Sequence, residues 1–86
     1  MITEKSGSSA AIEIQRWAGA LTNTIDPGIE ISVYADPDSS TYVLRLARGS
    51  HVLLFRLSEA QVQSPEREGE CEKTLRAKIK DLGRYT

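Results

Sequence analysis

Between Tyr42 and Leu57 apolar residues recur on both sides of a central Gly49-Ser50 pair, the pattern of two strands joined by a tight turn. Glycine adopts positive φ without steric cost, so glycine followed by a small polar residue predicts a two-residue type II′ hairpin. Such a turn sets the register. Ala47 falls opposite Val52, Leu46 opposite Leu53, Arg45 opposite Leu54 and Leu44 opposite Phe55. Because side chains alternate between faces along a strand, Leu44, Leu46, Leu53, Phe55 and Leu57 share the expected core surface. Val43, Arg45, Ala47, Val52, Leu54 and Arg56 share the other face, which is unusually apolar for one turned to water.

Upstream, Ala10, Ala11, Ile14, Trp17, Ala18, Leu21 and Ile25 fall on one stripe at 100° per residue, with Glu13, Gln15, Arg16 and Asn23 outside it. This predicts an amphipathic helix over 10–25, with Ser9 as N-cap. Ile12 lies off the stripe, and Gly19 weakens the helix by about 1 kcal/mol relative to alanine. Asp26-Pro27-Gly28 ends it, since proline disfavours helix in the residue before it. From Ile29 to Ala35 the alternation is that of a half-buried strand, with Ile29, Ile31 and Val33 inward and Glu30, Ser32 and Tyr34 outward. Asp36-Pro37-Asp38-Ser39-Ser40 reads as a loop.

Beyond Leu57, Ser58-Glu59-Ala60-Gln61 has capping-box spacing and predicts a short helical turn. Ser64-Pro65-Glu66 is a second helix start, with proline at the first helical position. Cys71, Leu75, Ile79 and Leu82 form a narrow apolar seam, and Gly83 is placed as the C-terminal cap. Glu66, Glu68, Glu70 and Glu72 precede Lys73, Arg76, Lys78 and Lys80, an order that complements the helix dipole.

The expected fold class is α+β: a single small domain in α-β-β-β-α order, a three-stranded antiparallel meander with both helices on one face. Residues 1–8 read as a flexible N-terminal arm, 9–83 as the domain and 84–86 as a C-terminal tail. With 86 residues such a domain buries only about 60% of its unfolded surface, so little of the chain is left to cover the second sheet face. The 40% apolar and 27% charged content is that of an ordinary folded protein, not a disordered one. A net charge of −1 argues against general nucleic-acid binding, which draws on a basic excess. One cysteine allows no internal disulfide. With no apolar leader and no membrane-length run, a cytoplasmic location is expected.

The residues that carry chemistry form no constellation. His51, the only histidine, has Cys71 as its only soft companion, too few ligands for zinc. The 36–40 loop lacks the glycine and the bidentate glutamate of a calcium site. Glu70 and Glu72 would raise the Cys71 thiol pKa, against reactivity. No cofactor and no metal are expected, and an enzymatic role is not.

Two resemblances bear on the alternatives. The element order is similar to that of double-stranded-RNA-binding domains, which would imply RNA contact through lysines at the start of the last helix. Here Glu66, Glu68, Glu70 and Glu72 hold those positions. Arg48-Gly49-Ser50-His51 at a hairpin, with Thr74-Leu75-Arg76 before a terminal helix, resembles HicA-type mRNA interferases and would give His51 a role in RNA cleavage. An additional strand over 29–35 and the absence of a third strand after Leu57 depart from that pattern. The nucleic-acid alternative rests on His51, Lys73, Arg76, Lys80 and Arg84.

The leading expectation is a non-catalytic interaction module that self-associates or docks a protein partner through the second sheet face. Tyr34, Val43, Val52 and Leu54 would be its anchors, with Arg45 and Arg56 at the rim.

Overall fold

The computed structural model describes residues 2–84. Its elements are helix α1 (Gly7–Ile25), strands β1 (Glu30–Asp36), β2 (Thr41–Arg48) and β3 (His51–Ser58), a short helix α2 (Glu59–Gln63), a 3₁₀ turn (Pro65–Arg67) and helix α3 (Glu68–Gly83). The strands form one antiparallel sheet in the order β1-β2-β3. No helix among the described residues is long and apolar enough to cross a membrane.

The hairpin register is the expected one throughout, from Arg48 opposite His51 to Thr41 opposite Ser58. Gly49 has φ +60° while Ser50 is not in the positive-φ region, the signature of a type II′ turn. On the other side of β2, Glu30 pairs with Ala47, Ser32 with Arg45 and Tyr34 with Val43.

Both long helices pack on the face carrying Leu44, Leu46, Phe55 and Leu57. These residues join Ala10, Ile14 and Ala18 of α1 and Cys71, Leu75, Ile79 and Leu82 of α3 in one buried cluster, with Trp17, Leu21 and Leu53 partly buried against it. The stripe and seam read from the sequence are therefore the two helix faces that meet the sheet.

Three local features differ from expectation. The first helix begins at Gly7 with Ser6 as N-cap, and Ser6 makes no side-chain capping bond. Ser9 lies inside the helix, and so do Gly7 and Ser8, which were expected in the arm. The remaining arm lies against α2: the Ile2 and Thr3 amides both donate to the Val62 carbonyl, at 2.9 and 3.4 Å, and Thr3 is buried beside Glu13. At the other end, α3 runs through Gly83 and is capped by Arg84 in right-handed conformation, so Gly83 does not supply a left-handed cap. Of the expected tail and arm, Tyr85, Thr86 and Met1 lie outside the described residues.

The capping box at Ser58 forms in both directions. The Gln61 amide donates to Ser58 Oγ at 3.1 Å and the Ser58 amide to Gln61 Oε1 at 2.8 Å. This bond pair turns the chain toward the helix side, where Val62 is fully buried in the core cluster. The 58–64 segment and the arm thus close the helix layer. The opposite sheet face is left uncovered by the described residues.

Candidate functional site: the open sheet face

The antiparallel register arranges the open face as rows of three. Glu30, Ala47 and Val52 form one row, Ser32, Arg45 and Leu54 the next, and Tyr34, Val43 and Arg56 the third. Tyr34, Val52 and Leu54 are 51%, 49% and 56% exposed. Apolar side chains of that size in adjoining rows make a contiguous patch instead of isolated surface residues.

Val43, expected among the anchors, is only 4% exposed. It stands on the central strand, directly between the larger residues Tyr34 and Arg56. Val43 is the floor of the patch.

Arg56 is held at the far edge by a network that the loop sequence had concealed. Its Nη1 lies 2.8 Å from Asp36 Oδ2, 3.0 Å from Thr41 Oγ1 and 3.4 Å from Ser39 Oγ. The Arg56 guanidinium, followed by the Ser39 hydroxyl, holds the Asp36 carboxyl below its ordinary value. The Asp38 amide also donates to Asp36 Oδ1 at 3.2 Å. The loop that superficially suggested an ion site is thus an anchor for a rim arginine. Among the described residues no group of three His, Cys, Asp or Glu side chains is placed to hold a metal. Asp26 and Asp38 lie beyond opposite ends of β1, and Asp26 pairs with Arg48 at 3.3 Å.

Arg45 occupies the middle of the middle row. It is exposed, and its side chain makes no ion pair or hydrogen bond among the described residues. An arginine centred in an apolar patch is a fixed, always-charged donor aimed outward.

The nucleic-acid set is placed differently. Lys73, Arg76 and Lys80 project from the side of α3 opposite the buried seam. Arg76 lies 3.7 Å from Glu72 and Arg84 lies 3.9 Å from Asp81, which partly neutralises the stripe. His51 lines a shallow cavity with Leu53 and Leu82, next to the C-terminal end of α3. Lys73 stands about 16 Å of helix away from Arg84, so the five residues do not converge on one point.

Cys71 is fully buried in the seam. Burial, then the neighbouring Glu70 and Glu68, pushes its thiol upward in pKa. Two features escaped sequence reasoning. Gln15 Oε1 accepts from the Val33 amide at 3.2 Å, so a helix side chain caps the outer edge of β1. The arm's bonds to Val62 are likewise between segments distant in sequence. No protein family, curated protein or solved structure matches this chain.

Proposed function

We propose that this domain is a non-catalytic protein-interaction module whose contact surface is the open face of the sheet. The observation that carries the reading is Arg45, unpaired among the described residues and centred among exposed Tyr34, Val52 and Leu54, on a face to which those residues bring no cover. Large apolar and aromatic anchors supply most of the energy in such surfaces, and charges set orientation and partner choice. The partner that fits presents apolar side chains around a carboxylate, because an arginine desolvated without an acceptor would cost several kcal/mol. Arg56, already satisfied by Asp36, contributes stem and rim. A buried, unpaired cysteine fits a reducing compartment, so the reading includes a cytoplasmic location.

A photo-crosslinking side chain at Ser32, on the open face, tests this against one at Arg16, on the exposed side of α1. The Ser32 probe is expected to give a discrete protein adduct in the native lysate that Arg45→Glu suppresses. Absence of that adduct, or equal labelling from Arg16, would overturn the reading.

A further inference from the structure

The two edges of the sheet are not equivalent. In a two-residue hairpin the residues flanking the turn, Arg48 and His51, form a hydrogen-bonded pair, and bonded and non-bonded pairs then alternate. The amides and carbonyls of His51, Leu53, Phe55 and Leu57 therefore face β2. Those of Val52, Leu54, Arg56 and Ser58 face outward. The outer amide of Ser58 is taken by Gln61 Oε1. On β1 the outward amide at the middle, Val33, is taken by Gln15. Val52, Leu54 and Arg56 make no backbone hydrogen bond on their outer side among the described residues.

Folded proteins ordinarily blunt such an edge with proline, lysine, a bulge or a covering segment. Within Val52-Leu53-Leu54-Phe55-Arg56 there is no proline or lysine, and the β2 pairing is unbroken along it. A shallow cavity bordered by Val52, Leu53, Leu54 and the α3 residue Leu82 opens beside it.

We infer that a second copy of this chain pairs with β3 through its outer edge, antiparallel and about a two-fold axis at Leu54. The axis follows from the bonding pattern. The free groups are those of Val52, Leu54 and Arg56, a set symmetric about its central member. Placing Leu54 opposite the partner's Leu54 and Val52 opposite the partner's Arg56 uses all of them. Shifting by one pair toward Ser58 would need the amide that Gln61 holds, and shifting the other way leaves Arg56 unpaired. Charge also disfavours the shift toward Ser58, which would bring the two Arg56 side chains within about 7 Å along the strands. The register centred on Leu54 sets Arg56 and the partner's Arg56 about 14 Å apart along the strands, beyond a screening length of about 8 Å. On the helix side, Leu53 meets the partner's Phe55.

A two-fold perpendicular to the sheet keeps both open faces on one side. The result is a six-stranded sheet with Val52 and Leu54 of both copies at its middle, flanked by two arginines at position 45. The inference rests on the open-face reading in that it enlarges the same docking surface.

Residue-resolved amide exchange on the wild-type protein, across a dilution series with solution mass measured in parallel, is the test. The mass is expected to double with concentration. The Val52, Leu54 and Arg56 amides should slow by about tenfold or more as dimer comes to dominate. Leu54→Pro removes the central outward donor at an edge position where proline is tolerated, and should stay monomeric at every concentration. If circular dichroism shows it unfolded, Leu54→Lys places two like charges at the axis and serves instead. A protein that stays monomeric, or dimerises while those three amides exchange unslowed, overturns the pairing. A Ser32 adduct that survives in either case would leave the open-face reading standing. An edge dimer without that adduct would do the reverse.

Discussion

One substitution made on the two sides of the molecule separates a covered surface from an open one. Val62→Asp and Leu54→Asp introduce the same carboxylate. Val62 is fully buried in the core cluster, so its replacement forfeits about 1.6 kcal/mol of transfer free energy, at about 0.8 kcal/mol per CH₂-sized group. It also leaves a carboxylate with several kcal/mol of uncompensated desolvation. A domain of this length has a total stability of about 4–13 kcal/mol, so Val62→Asp should be largely unfolded. Leu54 is 56% exposed. Less than half of a leucine's burial energy of about 2 kcal/mol is at stake, with at most about 1 kcal/mol more from the poor strand propensity of aspartate. Urea unfolding followed by circular dichroism, at micromolar protein or below, reads both. Leu54→Asp should shift the midpoint modestly at unchanged slope and lower Tm by about 4–8 °C per kcal/mol. An unfolded Leu54→Asp, or a Val62→Asp that folds normally, would show that the covered and open faces have been exchanged.

Other outcomes follow from single groups. Asp36 should titrate below its ordinary 3.8 by NMR, and Arg56→Gln should raise it. Since its folded pKa is depressed, the stabilisation it gives is present above the unfolded value and is lost as pH falls through the folded one, so the difference between wild type and Arg56→Gln should shrink in strong acid to what the Thr41 and Ser39 bonds contribute. Thr22 Oγ1 is buried with no hydrogen-bond partner among the described residues, so Thr22→Val should stabilise the fold by about 1 kcal/mol in thermal unfolding. Cys71, buried and raised in pKa, should resist a water-soluble thiol reagent at pH 8 and react fully in urea. Fast reaction in the native state would place the α3 seam at the surface.

Legibility in the sequence followed the range of the determining interaction. The hairpin register needs only the Gly49-Ser50 turn and side-chain alternation, and it was readable to the residue. The capping box at Ser58 is a four-residue signal and was readable too. The start of α1 was not, because Ser6, Ser8 and Ser9 are all acceptable caps and the one used makes no side-chain bond. Gly83 shows that a glycine near a helix end permits a left-handed cap without requiring one. The open face was legible as a set of residues, but the burial of Val43 was not, since it is set on the central strand with neighbours on both sides. The direction taken by 58–64 could not be read, since it is decided by Val62 meeting a core assembled from both helices. The asymmetry of the two sheet edges comes from Gln15 meeting Val33, eighteen residues away, and no local pattern encodes it.

The most direct test of the open-face account is hydroxyl-radical footprinting of the protein free and in its native complex. Tyr34 sits on β1, away from the β3 edge, so its labelling reports contact with a docked partner and not pairing between copies. The account expects Tyr34 to be labelled in the free protein and protected in the complex, while Ile12 and Ile25 on α1, both exposed, keep their rates. Undiminished labelling of Tyr34 together with protection of Ile12 or Ile25 would put the contact on the helix layer and contradict the account.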